Sequence, residues 1–370
     1  MFILNEKRME QLVNWMKEKD VSASFLTSTP NVFYLSNFYS DPHERLLGLL
    51  VFPEHSPILI CPNMEVEQVK ATGWSHSILG YSDTENPWEM MKEEINKRNI
   101  SIEKLAIEKE HMIVSRYKAL LALFPQATFV SAEEKMYELR LIKDEQEVAI
   151  LREAAKLADF GVEIGVHYIQ KGRTEQELVA AIEYELKKKG IREMSFSTMA
   201  LTGSKTASPH GKPGLNSINE GDLILFDLGV VLDGYCSDIT RTLAFDHLSE
   251  EGHNIYETVL QAELSAVNAC KPGVEIGSLD RIARSLITEA GYGQYFTHRL
   301  GHGLGIEVHE YPSMNETNTM KLQKGMTFTI EPGIYVPGFG GVRIEDDVYI
   351  TDTGYELLTQ YPKELQIIKK

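Results

Sequence analysis

Two β-hairpins that carry acidic residues in the middle of apolar strands constrain this chain most. The first reads GDLILFDLGVVLDGYCSDITRT, and the Asp-Gly pair at 233–234 is a strong turn signal because both central turn positions favour positive φ. With that turn, Asp227 lies opposite Thr240, and Asp238 points to the same face on the diagonal. Two carboxylates among apolar side chains repel each other and resist desolvation. The hairpin therefore predicts a divalent metal between them.

A second copy of this hairpin occurs about a hundred residues later and reads GMTFTIEPGIYVPGFGGVRIEDD. Glu331 takes the place of Asp227 there, and Glu345 takes the place of Asp238. The helical segments upstream also match at one fixed offset: Gly172, Leu178 and Gly190 recur as Gly273, Leu279 and Gly291. The sequence therefore predicts an internal repeat of helix and acid-bearing hairpin. Two such halves facing each other would bring four carboxylates to one centre.

Composition limits the partners that the chain can have. Its 54 acidic residues against 37 Lys and Arg give a net charge of −17, whereas a nucleic acid or an anionic membrane requires a basic surface. We find no signal peptide and no apolar run of membrane-spanning length. Three widely spaced cysteines predict neither a disulfide framework nor a cysteine-based zinc site. We expect a cytoplasmic protein with no nucleic-acid or membrane partner.

The first part of the chain alternates short apolar runs with helical periodicity, which predicts an α/β domain. We expect helices at 5–19, 87–97 and 111–123, and strands at 24–26, 32–35, 46–52, 57–61 and 105–108. Asp41, His43 and Glu44 are close together there, but a solvated loop explains them better than a site. The second part predicts helices at 145–168, 174–189, 249–270 and 277–290, interleaved with the two hairpins.

Histidines concentrate between the two hairpins, in HRLGHGLGIEVHE. Glycines at alternate positions argue against a helix, so His298, His302 and His309 do not form a helical zinc motif. Glycine instead allows an imidazole to approach a metal or a substrate closely. A fourth residue, His210, lies in the loop TGSKTASPHGKPG before the first hairpin, where loop filler and a functional group are equally good interpretations.

These motifs together resemble the "pita-bread" metallopeptidases, which include Xaa-Pro dipeptidases (prolidases), aminopeptidase P and methionine aminopeptidases. SPHG, FDLGVVLDGYCSDITRT, GHGLGIEVHE and EPGIYVPGFGGVRIED all occur in order. The resemblance implies an α/β creatinase/prolidase-like N-terminal domain at 1–132. It also implies an α+β pita-bread catalytic domain at 138–370 with an internal pseudo-twofold repeat. Methionine aminopeptidases usually lack the N-terminal domain, which favours the prolidase and aminopeptidase P branch.

The resemblance implies two divalent metal ions per chain. The implied ligands are Asp227, Asp238, His302, Glu331 and Glu345, of which Asp238 and Glu345 would bridge the two metals. Four carboxylates and one imidazole are mostly hard donors, which suit Mn²⁺ best, with Co²⁺, Fe²⁺ or Zn²⁺ as other possibilities. Their negative charge would also cancel that of two dications.

By the same resemblance, His210 and His309 contact the substrate and stabilise the oxygen of the tetrahedral intermediate. Glu331 would move the proton, His298 would be a further active-site histidine, and Arg343 would orient carboxylates or bind substrate. For Arg343 a surface ion pair is the competing interpretation.

The leading hypothesis is a dinuclear metallopeptidase that removes an N-terminal residue preceding proline, and we expect a homodimer. One alternative is a creatinase-like C–N hydrolase without metal, and another is a non-catalytic binding module on the same fold. One departure concerns substrate length. Some dipeptidases carry an arginine before the second hairpin, where 314–324 here offers only Lys321 and Lys324. A free carboxylate after proline is therefore expected to be a preference rather than a requirement.

Overall fold

The computed structural model describes residues 2–369, and the side chains of residues 6–369. The chain divides into two compact units, the first ending at Arg140 and the second beginning at Leu141. Within residues 2–369 no helix combines the length and the apolar character needed to span a bilayer.

The first unit is an α/β domain built on one mixed sheet of six strands in the order β4-β3-β2-β1-β5-β6. The pairs β3–β4, β1–β5 and β5–β6 are parallel, whereas β1–β2 and β2–β3 are antiparallel. Its elements are α1 (Phe2–Glu18), β1 (Ala23–Leu26), α2 (Thr29–Ser36), β2 (Gly48–Val51), β3 (Ile58–Pro62), α3 (Val66–Ala71), β4 (Ser77–Tyr81), α4 (Pro87–Lys97), β5 (Lys104–Ile107), α5 (Val114–Leu123), β6 (Thr128–Ser131) and α6 (Glu133–Leu141).

The strand predicted at 32–35 is wrong, because these residues lie inside helix α2. The side chain of Ser28 accepts a hydrogen bond from the backbone of Asn31 and caps the helix, and Pro30 occupies its first turn. Asn37 ends it in the left-handed conformation, at φ 60°. These local signals at the two ends outweigh the strand preference of the apolar run between them.

The second unit is an α+β domain. Its elements are α7 (Glu145–Tyr168), α8 (Glu175–Lys188), β7 (Glu193–Met194), β8 (Met199–Thr202), β9 (Leu223–Leu228), β10 (Val230–Leu232), β11 (Tyr235–Cys236), β12 (Ile239–Phe245), α9 (Glu250–Asn268), α10 (Ile276–Glu289), β13 (Gly301–Gly303), β14 (Glu310–Met314), β15 (Thr327–Ile330), β16 (Gly333–Val336), β17 (Gly340–Arg343), β18 (Asp346–Ile350), β19 (Tyr355–Leu357) and β20 (Ile367–Ile368). The four helices predicted here are confirmed to within two residues at each end.

The two halves of this unit repeat each other. Helices α8 and α10 each contain 14 residues, and each is preceded by a glycine at positive φ, Gly172 at 80° and Gly273 at 86°. Gly190 and Gly291 follow them at 93° and 89°. One apolar core joins α7 and α8 to the first hairpin, and another joins α9 and α10 to the second. The predicted repeat is therefore present in helices, turns and packing.

The first hairpin has the register that its Asp-Gly turn predicts. Asp233 and Gly234 both have positive φ, at 47° and 84°, and β9 pairs with β12 so that Asp227 lies opposite Thr240. In the second hairpin Ile330 pairs with Asp346 and β16 with β17. In each hairpin the acidic residues thus lie close to the ends of the paired strands.

We predict that Gly301→Ala will destabilise the second unit. A Cβ at Gly301 would lie 2.0 Å from the backbone oxygen of Thr329, so strand β13 must move away from β15. The expected loss in the free energy of unfolding is about 1–3 kcal/mol, measured by urea denaturation. Gly354→Ala is the matched control, since a Cβ there meets no atom within 4 Å. Equal stability of the two variants would contradict the prediction.

Candidate metal centre

The two hairpins meet at Thr240, near the start of strand β12. The backbone of Glu345 donates to the carbonyl of Thr240 at 3.1 Å, which forms an isolated antiparallel bridge between the halves. The hydroxyl of Thr240 also donates to Oε2 of Glu345 at 2.6 Å. Because Asp227 lies opposite Thr240 in the β9–β12 ladder, this one threonine brings acids of both halves together.

Three ligand-type side chains form the centre of this junction. One ligand atom from each of Asp238, His302 and Glu345 lies within 4.8 Å of the others. All three side chains are buried, with residue exposures of 4%, 3% and 2%. Asp238 comes from the first hairpin, Glu345 from the second, and His302 from the short strand β13.

The other two predicted ligands border these three. Glu331 approaches His302 with 3.4 Å between Oε1 and Nε2, and the corresponding distance from Oδ2 of Asp238 is 3.7 Å. Asp227 contacts the guanidinium of Arg343 through its carboxylate. The structure thus brings all five sequence-predicted ligand positions into one neighbourhood, with Asp227 at its edge.

His302 presents the nitrogen that a metal requires. Its Nδ1 lies 3.1 Å from the carbonyl of Gly303 and donates to it, which leaves the lone pair of Nε2 facing the carboxylates. Burial, and after it the charge of His309, lowers the pKa of His302 to about 3. The imidazole is therefore neutral at physiological pH and free to act as a ligand.

Among the described residues, the carboxylates of Asp238, Glu331 and Glu345 contact no lysine or arginine. Burial, followed by repulsion from neighbouring carboxylates, raises the pKa of Asp238 and of Glu345 well above their ordinary values. Burial also raises the pKa of Glu331 to about 7. Oδ1 of Asp238 and Oε1 of Glu345 are buried and have no hydrogen-bond partner among the described residues. Unpaired oxygens of this kind, beside a neutral imidazole, fit divalent cations well, because a cation supplies the missing charge and ligand bonds together.

Two further histidines, His298 and His309, lie near the cluster, and the charge of His210 acts on both of them. The ring of His309 lies 4.0 Å from that of His302, centroid to centroid, and is exposed. Burial first, and then the nearby charges of Arg299 and His210, lower the pKa of His309. The partly buried ring of His298 has its Nδ1 2.8 Å from the carbonyl of Arg299 and its Nε2 2.8 Å from the hydroxyl of Tyr335.

Arg343 is not a surface residue. It is 4% exposed, donates to the hydroxyl of Tyr335 at 2.8 Å and to the hydroxyl of Thr240 at 3.1 Å, and contacts Asp227. The alternative of a surface ion pair is therefore wrong. The hydroxyl of Tyr335 connects Arg343 to His298, so these side chains hold one another in place.

Glu175 anchors the base of the loop that carries His210. Nothing in the sequence analysis identified this residue. The fully buried carboxylate of Glu175 accepts from the backbone of Thr202 at 3.1 Å, from Nζ of Lys205 at 2.7 Å and from the backbone of Gly214 at 2.7 Å. The equivalent position in the second half of the repeat is Ile276, also buried. A charged residue in one half against an apolar one in the other was the signal available from the sequence.

The geometry can now be compared with known proteins. The sequence model described as "Metallopeptidase family M24" matches residues 149–352, and that described as "Creatinase/Prolidase N-terminal domain" matches residues 8–142. The chain belongs to metallopeptidase family M24. Its two units are accordingly a creatinase-type N-terminal domain and a pita-bread catalytic domain, as the sequence resemblance implied.

Relatives within the M24 family match the chain over nearly its whole length. It is 56% identical to the "Putative dipeptidase YkvY" of Bacillus subtilis, covering 98% of this chain and 99% of the relative. The Xaa-Pro dipeptidase of Bacillus anthracis superimposes with a TM-score of 0.91 at 34% identity, covering 98% and 100% of the two chains. The X-Pro aminopeptidase of Thermotoga maritima superimposes with a TM-score of 0.86 at 30% identity, covering 94% of this chain and 98% of that protein.

We predict that Glu175→Ala will loosen the loop from Gly203 to Gly214. The change leaves a lysine and two backbone N–H groups without their acceptor, which costs about 2 kcal/mol or more in the free energy of unfolding. Hydrogen exchange measured by mass spectrometry should rise in this loop. Glu177→Ala is the matched control, because Glu177 caps the same helix end through Thr174 without touching the loop. Equal exchange in the two variants would contradict the proposed fastening.

Proposed function

We propose that this M24 peptidase hydrolyses the bond between an N-terminal residue and proline, with two divalent metal ions held in the second unit, which begins at Leu141. The proposed ligands are Asp227, Asp238, His302, Glu331 and Glu345. Asp238 and Glu345 are the proposed bridging ligands, as the family resemblance implies. Asp227 would complete one site, and His302 with Glu331 the other.

The observation that carries this proposal is the set of buried, unpaired carboxylate oxygens beside His302. Four carboxylates offset the charge of two dications, whereas one dication would leave a net negative charge in a dry site. Mostly oxygen donors favour Mn²⁺, with Co²⁺, Fe²⁺ and Zn²⁺ as further possibilities.

Bound divalent ions supply Lewis acidity, which polarises the substrate carbonyl and lowers the pKa of water. The protein supplies positioning and proton transfer. Glu331 takes the proton of the attacking water and delivers it to the proline nitrogen as the C–N bond breaks. Water thereby adds hydroxide to the carbonyl carbon and a proton to the amine. His210 and His309 donate hydrogen bonds to the developing oxyanion, and His298 and Arg343 border the substrate.

The names of the structural neighbours support proline as the second residue of the substrate, since one is an Xaa-Pro dipeptidase and another an X-Pro aminopeptidase. The nitrogen of an Xaa-Pro bond carries no hydrogen, so this bond needs a site adapted to a tertiary amide. The preference for Mn²⁺, a homodimeric assembly and a cytoplasmic location remain predictions from the sequence.

Two other functions fit the site less well. A creatinase-like C–N hydrolase needs no metal, yet all five proposed ligand positions hold competent donors. A non-catalytic binding module on this fold typically loses ligands, whereas here all five positions hold competent donors and three of them, Asp238, His302 and Glu345, are buried together.

We predict that each chain binds two divalent ions and that Asp238→Asn weakens both sites. A bridging ligand serves two ions, and an amide carries no charge to offset them. Metal analysis of the purified protein should give a ratio near two for the wild type and clearly less for the variant, with activity on Xaa-Pro peptides abolished. Full activity of metal-stripped enzyme would support the creatinase-like alternative instead.

We predict that His210→Ala lowers kcat by roughly 10²–10³, as expected for a donor to the developing oxyanion. Both metals should stay bound, because His210 is not among the proposed ligands. Metal analysis and steady-state kinetics on the same preparation test this. Loss of metal in parallel with activity would instead make His210 a ligand.

A further inference from the structure

His309 lies at the end of a short loop, residues 304–309, that connects strands β13 and β14. The two ends of the loop are close together because Gly303 pairs with Glu310 in the β13–β14 ladder. Inside the loop, the backbone of Gly305 donates to the carbonyl of Glu307 at 3.1 Å. The backbone that carries His309 is therefore a tight turn, and Glu310 is the residue at which it rejoins the sheet.

The carboxylate of Glu310 fills the inside of this loop. Its Oε1 accepts a hydrogen bond from the backbone of Glu307 at 3.0 Å, and its Oε2 accepts one from Nζ of Lys143 at 3.2 Å. A Cβ at Gly305 would lie 2.6 Å from the same Oε2, so a larger residue at this position would displace the carboxylate. The glycine at 305 thus makes room for an anion that holds the loop together.

Lys143 is fixed by contacts of its own. It lies just after Leu141, where the second unit begins, and its backbone donates to the carbonyl of Gly325 at 2.8 Å, at the start of the second hairpin. The side chains of Lys143 and Glu310 are only 2% and 4% exposed. An ion pair buried in this way is hard to open, because opening leaves each charge without a partner in a dry environment. Lys143 therefore anchors the loop to the rest of the second unit.

The anchor and the imidazole of His309 lie in different surroundings. The side chain of Glu310 faces the interior with Lys143, whereas His309 is exposed, and its ring lies 4.0 Å from the ring of His302. Because His309 and Glu310 are consecutive residues, fixing the second limits the positions that the first can take. The ion pair thus holds from the interior a residue that borders the proposed metal cluster.

We propose that Lys143 and Glu310 are positioning residues that keep His309 where it can donate to the developing oxyanion. The inference rests on the function proposed above, in which His309 has this role. A loop that begins with Gly303 and Gly305 has many accessible backbone conformations, so its geometry depends on a contact from outside. Misplacement of a catalytic group by about 1 Å can lower the rate by about 10²-fold. The pair acts through His309 and does not touch the substrate.

The test is a double-mutant cycle with alanyl-proline as substrate. Lys143→Met should lower kcat by about 10- to 100-fold and change KM by less than about threefold, because the lost interaction is made in the transition state. In a His309→Ala background the same change should lower kcat by less than about threefold, because the imidazole that it positions is gone. Lys143→Arg should recover most of the loss, since it keeps the positive charge beside Glu310. Hydrogen exchange of residues 304–310 should rise in Lys143→Met.

Lys156→Met is the matched control. It also removes a lysine from an ion pair of the second unit, but Lys156 and Glu153 are 64% and 61% exposed on helix α7. Its kcat should stay within about twofold of wild type, and its loop exchange should be unchanged. If Lys143→Met does not fold, the double variant Lys143→Met/Glu310→Gln takes its place in the cycle, because removing both charges leaves no unpaired charge buried.

Three results would overturn the inference and leave the proposed function standing. One is an equal loss of kcat in the wild-type and His309→Ala backgrounds, which indicates a general loosening of the fold. Another is an unchanged kcat in folded Lys143→Met. The third is loss of bound metal in that variant, since the pair would then act on the ligands. A metal-loaded wild-type enzyme that cleaves no Xaa-Pro peptide would overturn the proposed function, and the inference with it.

Discussion

The close approach of several buried carboxylates is the constraint on which the catalytic unit depends. Asp238 and Glu345 come from different hairpins, and folding brings them together against their mutual repulsion. The hydrogen bonds of Thr240 to Glu345 offset part of that cost, because they satisfy one oxygen and one backbone N–H. The remaining unpaired oxygens define a place for cations. The metal-binding character of the protein thus follows from how its two halves are joined.

A second charge network supports this junction from behind. Arg241 is almost completely buried and donates to the carbonyls of Thr240 and Glu345 at 2.9 and 2.6 Å. It also forms an ion pair of 2.7 Å with Asp346, which contacts Lys363 near the end of the chain. A buried guanidinium whose hydrogen-bond partners are all present holds the backbone carbonyls that it contacts in fixed positions. Glu345 is therefore held by its neighbours on both sides, and a rigid ligand set is what a metal centre of defined geometry requires.

The sequence predicted those features that depend on local chemistry. The Asp233-Gly234 turn determined the register of the first hairpin, and side-chain caps at Asp144, Thr174 and Ser249 begin three of the four helices of the second unit. Helix α2 was missed because its caps lie outside the apolar run that suggested a strand. The bulge between His302 and Gly303, where the register of β13 and β14 shifts, was not predicted, because no local signal in the sequence reveals it.

The repeated and the unrepeated parts of the second unit have separate roles. Each half contributes a helix pair and an acid-bearing hairpin, so the symmetry accounts for the carboxylates. The residues proposed to handle substrate are not repeated between the halves. The His210 loop is fastened by Glu175, where the other half has Ile276, and His298 and His309 precede the second hairpin without counterparts before the first. Duplication therefore explains a site that can hold cations, whereas recognition of a particular peptide depends on residues by which the halves differ.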